Sequence, residues 1–597
     1  MEEIIRFYED QIKHFTNVSE SLKKKIYQAG TLRLLLFVAA CVAFWFCRNA
    51  DPYVWLIIFI AFVIPFLALM VYHSKLFDKK RNAEHTAELN HNERKSIDYD
   101  FSAFDGAPEQ MNAQHDFSLD LDIFGNDSMF QSINRTVTLK GKSLLIEWFK
   151  KPLSRKEEIT SRQQAVQELA TKTFFRQHFY VTGIGRKHEE KDVKQLHELS
   201  AQATNFSESL LWKILIWLVP GLWLLTIIGL IVGYLSFGML GIMFAIGFLI
   251  ANIHTKRITK LHNTVDRMNK LLFVYSQLME QIEKEPFHST RLKHVRQLLL
   301  SDNLYASETI KHLSRIIGGL DQRFNMALIV LNILYLRDMR HVMQLEKWIK
   351  SHADHFDAWF NALAEIDALC SLGGFAFNHP GYVYPVIADH YFQMEGKSLG
   401  HPLLHRDKCV RNDISIAKNP YFLVVTGANM AGKSTYLRTV GVNFLLACMG
   451  APVCAQSLTL YPAHLITSLR TADSLTANES YFFAELKRLK MIIDRLNQGE
   501  ELFIILDEIL KGTNSKDKQK GSLALVKQLI AKQACGIIAT HDLLLGTLEQ
   551  EFPNEIKNYR FEADITNDEL TFSYQLREGV AQNMNASYLM KKMGITL

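Results

Sequence analysis

Three short stretches in the last third of the chain carry residues able to do phosphate chemistry. The first runs from Tyr421 through Gly427-Ala-Asn-Met-Ala-Gly432-Lys433-Ser434-Thr435. An apolar strand leads into the spacing G-x-x-x-x-G-K-S, and a helical pattern follows to Cys448. That is the context of a Walker A loop. Gly427 and Gly432 let the backbone bend around a phosphate, and the helix N-terminus adds a favourable dipole. Lys433 is placed to reach the β- and γ-phosphates of ATP, and the Ser434 hydroxyl to ligate Mg²⁺. The second stretch, Leu502 to Glu508, is a continuous apolar run ending in two carboxylates. A buried parallel strand reads this way, and open α/β sheets bind ligands at that carboxyl edge. Asp507 is expected to hold Mg²⁺ through water, and Glu508 to orient or deprotonate the attacking water. The third stretch, Gly536 to His541, is a strand ending in a histidine. Alone, His541 reads as a structural strand-end residue; beside the other two motifs it becomes a γ-phosphate sensor. The expected catalytic set is Lys433, Glu508 and His541, and the metal set is Ser434 and Asp507.

These groups need an α/β domain to hold them, expected over 396–597. The sequence ahead of it is of another kind. From Ile159 to Asn205 and from Lys256 to Leu372, apolar residues recur at helical spacing among charged ones. This predicts an all-α region in two parts, 115–209 and 256–395. Four apolar runs interrupt the pattern: Leu34 to Cys47, Pro52 to Tyr72, and Ile214 to Ile253, which divides near Ser236-Phe237-Gly238. None carries a charge. A helix needs about 20 apolar residues to cross a bilayer, and Arg33 and Arg48 can snorkel to lengthen the first run. The runs predict transmembrane hairpins at 29–76 and 210–255, with an N-terminal helix at 1–28 and a linker or exposed helix at 77–114. Basic residues lie at the outer ends: Lys23 to Lys25, Lys75, Lys79 to Arg81, Lys213, and Lys256 to Lys260. The positive-inside rule puts these ends in the cytoplasm. The expectation is a multi-pass protein of the inner (cytoplasmic) membrane with the ATPase domain in the cytoplasm. Core helices of a soluble protein are the plainer alternative, but a run as long as Ile214 to Ile253 is hard to bury.

Composition narrows little. The chain has 597 residues, a formal net charge of +5 and seven cysteines, none in a C-x-x-C pair. This argues against a zinc module or a disulfide framework. The mild basic excess neither demands nor excludes nucleic acid or anionic lipid.

Several stretches are similar to the MutS family, the ABC-type ATPases best known from DNA mismatch repair. Gly427 to Arg438 resembles the family's G-P-N-M-x-G-K-S-T-Y-x-R, Asp507 to Thr513 its D-E-x-x-x-G-T, and Ala539-Thr-His541 its A-T-H. His401-Pro, Asn412-Asp413, and the tail at Asn585-Ala-Ser-Tyr-Leu and Met593-Gly-Ile fit its ATPase domain. Leu121 to Gln163 resembles the start of its core or lever region, and Asp367-Ala-Leu-Cys-Ser-Leu its end. The resemblance implies a nucleotide set of Gly427, Asn429, Gly432, Lys433, Ser434 and Thr435, with Asn429 near the γ-phosphate. It also implies a homodimer with composite sites, in which Ser480, in the segment Asp473 to Glu485, contacts the partner's nucleotide. That segment departs from the family form at Asn478 and Tyr481.

The first hundred residues hold an apolar hairpin where repair-type members carry a mismatch-reading domain. Arg6-Phe7-Tyr8-Glu9 resembles their Phe-x-Glu wedge only superficially. No clamp-sized insertion, endonuclease module or long tail is expected. The functional expectation is a membrane-anchored MutS-like ATPase that moves lever helices, with DNA a partner implied by inheritance. A soluble-type mismatch- or junction-binding repair protein and an ABC-like transport or remodelling ATPase are the alternatives.

Overall fold

Two helices open the chain, α1 (Glu2–Phe46) and α2 (Pro52–Ile97), folded back on one another through the turn at 47–51. At 1.5 Å per residue each is roughly 65–70 Å long, about twice a bilayer's hydrocarbon thickness. Composition divides each helix in two. The charged halves pack Leu22, Ala29 and Leu76 together with Val18, Ile26 and Leu69, and Ser19 donates to Glu84 across the pair. The apolar halves are bare: the most hydropathic windows of α1 and α2 are 6% and 0% buried. Residues 77–97, expected as a linker or exposed helix, continue α2, and the expected boundary at 28/29 falls inside α1.

This computed structural model describes residues 1–184, 206–256, 258–259, 268–300, 304–321, 326–428, 430–469, 481–566 and 569–582. The chain forms two compact units, Met1–Arg135 with Leu145–Thr173 and Leu369–Leu597, and Thr136–Leu144 with Phe174–Ala368. The units cut across the expected domains: much of 115–173 groups with the C-terminal sheets rather than with the helices after it. Asp120 shows why, accepting from Thr467 Oγ1 at 2.6 Å and from Leu469 N at 3.0 Å.

The second unit is helical. Its second apolar pair is α3 (Leu210–Ile231) and α4 (Gly238–Asn252). Then come α5 (Met268–Lys284), α6 (Ala306–Asp321), α7 (Met326–Tyr335), α8 (Arg337–His352) and most of α9 (Phe356–Asn378). Leu271, Leu278, Ile310, Ile317 and Trp348 are among its buried residues. Buried acids find backbone donors, as buried polar groups must. Glu346 takes Ser207 N at 2.6 Å, and Asp367 takes Thr138 N at 2.8 Å and Thr138 Oγ1 at 2.7 Å. The stretch Arg337–Asn378 is apolar enough to cross a membrane by composition, but its most hydropathic window is 78% buried in protein. It is core.

In the first unit the strands follow in order: β1 (Val386–Ile387), β2 (Met394–Leu399), β3 (Asn412–Ile416), β4 (Tyr421–Gly427), β5 (Ser457–Leu460) and β6 (His464–Ser468). β7 (Leu502–Asp507), β8 (Cys535–Thr540), β9 (Ile556–Phe561), β10 (Ala563–Thr566), β11 (Glu569–Phe572) and β12 (Arg577–Glu578) complete them. The main sheet has the order β12-β9-β4-β8-β7-β6, parallel except for the edge strand β12. The remaining strands form a four-stranded sheet, β1-β5-β2-β3, and the hairpin β10-β11. The central strands are buried along almost their whole length, which is why they read as unbroken apolar runs. Three further helices belong here: α10 (Lys433–Cys448), α11 (Tyr481–Asn497) and α12 (Ser515–Ala531). Val424, Ile504 and Ile538 cluster with Ile492 of α11 and Val526 of α12. Phe444 of α10 packs on Phe503, ring centroids 5.0 Å apart. The three motif strands β4, β8 and β7 are neighbours, so their carboxyl ends meet at one edge.

Candidate functional site

β4 ends at Gly427, whose φ of 150° and closeness to β9 both require glycine: a Cβ there would stand 2.5 Å from the Phe561 carbonyl. The chain turns through Met430 (φ 66°) and Gly432 (φ 107°) into α10. Lys433, the first residue of that helix, is 4% exposed. Its ammonium donates to the carbonyls of Gly427 at 2.7 Å and Ala428 at 3.0 Å, and lies 3.5 Å from His541 Nε2. Burial lowers its pKa from the usual lysine value, and Asp507 and Glu508 oppose that. The ammonium thus closes the loop on itself.

Ser434 Oγ donates to Asp507 Oδ2 at 2.6 Å. The other oxygen, Asp507 Oδ1, is buried and makes no hydrogen bond. Burial raises the Asp507 pKa, with the Ser434 bond pulling the other way. A hydroxyl and a carboxylate with a spare buried oxygen are hard oxygen donors, the kind Mg²⁺ takes. These residues fit that ion.

Glu508 follows at a positive φ of 49°, its N–H bonded to Ala539 O of β8 at 2.9 Å. One carboxylate oxygen meets His541 Nε2 at 2.6 Å and the other Lys511 Nζ at 2.9 Å. The bond to His541, then that to Lys511, lowers the Glu508 pKa to about 2. The loop carrying these groups is tied to α11. Glu485 accepts from the amides of Leu510 and Lys511, and a Cβ on Gly512 would stand 2.6 Å from Phe482 Cβ.

A cavity of about 400 Å³ opens beside the loop, with Lys433, Ser434 and Thr435 in its wall and Leu404, Val410 and Tyr574 among its apolar lining. Lys433, Ser434, Asp507, Glu508 and His541 are therefore gathered, with Gly427, Gly432 and Thr435 beside them. Asn429 and Ser480 lie outside the described residues, as does the tail from Asn585. Sequence reasoning missed Glu485 and Lys511 as supports and the 404–410 wall of the cavity. The Asn412-Asp413 motif was the nearest signal for that wall: Asn412 accepts from Leu576 N and donates to Tyr574 O. Some basic residues that a phosphate backbone could meet are already engaged within the protein. Lys156 pairs with Asp389, Lys490 with Asp494, and Arg488 bonds Thr467 O.

Fold and site together define a multidomain chain, helix-rich, whose C-terminal α/β part gathers a lysine, a serine and two carboxylates at one sheet edge. Two protein-family models match it, MutS domain III over residues 117–373 and MutS domain V over residues 423–595. The chain is 31% identical over 337 residues to the DNA mismatch repair protein MutS of Aquifex pyrophilus, covering 55% of this chain and 37% of that protein. It is 30% identical over 251 residues to MutS of Thermotoga maritima, covering 41% and 31%. It is 28% identical over 263 residues to the DNA mismatch repair protein MSH3 of Meyerozyma guilliermondii, covering 42% and 27%. The matches span about a third of the length of these relatives. The two domain matches and the relatives together support the MutS family as the one to which this chain belongs.

Proposed function

We propose that this chain is a membrane-anchored MutS-type P-loop ATPase, working as a homodimer and using ATP with Mg²⁺. The observation that carries the reading is the meeting of Ser434 with Asp507, of Glu508 with His541, and of Lys433 with the loop carbonyls, at one sheet edge beside a cavity. Mg²⁺ bound at Ser434 and Asp507 would neutralise phosphate charge. Lys433 would exchange the Gly427 and Ala428 carbonyls for phosphate oxygens. Glu508 would take a proton from the attacking water, and both its oxygens are engaged here. Each oxygen keeps a second lone pair for that water, and His541, between Glu508 and Lys433, is placed to sense an arriving γ-phosphate. The two apolar hairpins would cross the cytoplasmic membrane and keep the ATPase domain in the cytoplasm. Their bare apolar surfaces support this. DNA is a candidate partner because the relatives are mismatch repair proteins.

The test is the ATPase rate of the full chain in mild detergent, measured without DNA and with plain, mismatched and branched duplex at two salt concentrations. Mg²⁺-dependent turnover supports the ATPase. Stimulation by DNA that fades with salt supports a DNA-acting enzyme. A rate indifferent to every DNA removes DNA from the proposal and turns the search to protein or lipid partners.

A further inference from the structure

Helix α7, Met-Ala-Leu-Ile-Val-Leu-Asn-Ile-Leu-Tyr, lies in a region whose sequence reads as lever helices, yet half of its described side chains are exposed. Ile329, Val330, Leu331 and Tyr335 are each 41–46% exposed. At about 15 Å it is too short to cross roughly 30 Å of hydrocarbon. Its buried side goes to the second apolar hairpin, since it packs on both α3 and α4. Gly247, the buried residue of α4, makes this approach possible. A Cβ there would lie 2.6 Å from the Ile333 carbonyl and 3.0 Å from its side chain, and Ile333 is buried. Close approach over a glycine is how helices associate where water does not drive them together. Asn332 is turned to α8, its Oδ1 accepting from Asp338 N at 3.0 Å.

The same corner holds a cationic and aromatic group. Pro220 inside α3 has no N–H, so the carbonyl four residues earlier, Ile216 O, loses its helical partner. Arg340 Nη2 donates to that carbonyl. Its guanidinium stands 3.8 Å from the Tyr335 ring centroid and 5.0 Å from that of Trp217. Trp, Tyr and Arg gather where hydrocarbon gives way to headgroups. The bare face of α7 adjoins the bare faces of α3 and α4 and ends at this cluster.

We propose that α7 is a third membrane element, lying at the boundary of acyl chains and headgroups at the cytoplasmic foot of the second hairpin. Its Ile329-Val330-Leu331 face meets lipid acyl chains, and Arg340 marks the water side. The proposal rests on the membrane reading of α3 and α4. It is tested with the full chain reconstituted in phosphatidylcholine–phosphatidylglycerol vesicles. The lipids carry a photoactivatable diazirine either near the glycerol or near the acyl terminus, and adducts are mapped by mass spectrometry. The expected result is labelling of 329–331 by the shallow probe and of Leu224-Leu225 in α3 by the deep one. Labelling of Leu224-Leu225 with none at 329–331 by either probe overturns the inference and leaves the anchoring intact. No label at either place overturns both. A Val330→Cys variant that cross-links to a second copy, with 329–331 unlabelled, makes the face a dimer contact and likewise ends the proposal.

Discussion

At the scale of single residues, each oxygen of the Glu508 carboxylate is in use, and that fixes what its replacement should do. Glu508→Gln keeps shape and a hydrogen-bonding oxygen but removes the proposed base. Nucleotide should still bind, while turnover falls by roughly 10²–10⁴, and closed dimers should accumulate on ATP. Normal turnover in this variant would show that another group takes the proton. Lys433→Ala removes a charged donor worth about 1.5–3 kcal/mol. Nucleotide affinity should therefore fall by one to two orders of magnitude, as titration with a fluorescent analogue would show. That these residues would be brought together was legible in the sequence because strand, loop and helix follow one another directly around them. Glu485 was not, because it acts from another helix on the backbone of the 510–511 loop. Asp367 offers a separate test. Complete burial raises its carboxyl from 3.8 to about 7, against the hydrogen bonds from Thr138 and Val137. A raised acid pKa means that between about pH 4 and 7 the folded unit keeps a proton the unfolded chain has lost. Its contribution to stability is fullest below that window and declines as pH rises through it. Asp367→Asn should flatten the slope, read as urea midpoints at pH 5 and pH 7.5. A wild type that gains stability over that range relative to the variant would contradict the assignment.

At the scale of elements, the first hairpin joins a bare apolar half, the proposed span, to a polar half, and the foot of that polar half is held by a chain of polar contacts. Tyr8 donates to Asn378 Oδ1 at 2.7 Å, and Asn378 in turn to Glu93 Oε2 at 2.9 Å. Arg135 closes the chain on Glu93 at 2.7 Å, and Phe7 packs edge-on against Phe377. Arg406 donates to Ile97 O at 2.6 Å from the stretch that supplies Leu404 and Lys408 to the cavity wall. The wedge-like Phe7-Tyr8-Glu9 is thus a structural anchor for that polar half. Tyr8→Phe leaves a buried Asn378 oxygen short of a donor and should cost about 1–3 kcal/mol. Faster hydrogen exchange across 90–97 would report it; unchanged exchange there would mean that the Tyr8 hydroxyl does not help to hold the foot. Charge-free runs make each hairpin legible in the sequence, but nothing there reveals the length of α2. Polar residues 77–97 leave linker and exposed helix both open, because the face that settles the helix packs on α1. In the same way α9 looks like a span by composition, and only packing reveals it as core.

At the scale of the whole molecule, the two apolar hairpins belong to different compact units, so under the proposed anchoring each unit would carry its own attachment. Fully exposing a Leu, Ile or Phe forgoes about 1.5–3 kcal/mol. On α2 alone, Leu56, Ile57, Phe59, Ile60, Ile64 and Leu67 are all exposed. Several helices with such a face open to water would carry that cost many times over, and the proposed bilayer would remove it. Two attachments on one chain also act together, since loss of one leaves the other at high local concentration. Replacing residues 34–72 with a short polar turn should therefore leave the protein in the membrane pellet after alkaline carbonate extraction. Replacing 214–253 alone should do the same. Only the double replacement should move it to the supernatant, still able to bind nucleotide, because the cavity is lined from neither hairpin. Extraction of the unaltered chain by carbonate would refute membrane insertion. Release by one of the single replacements would show that the other hairpin does not insert by itself.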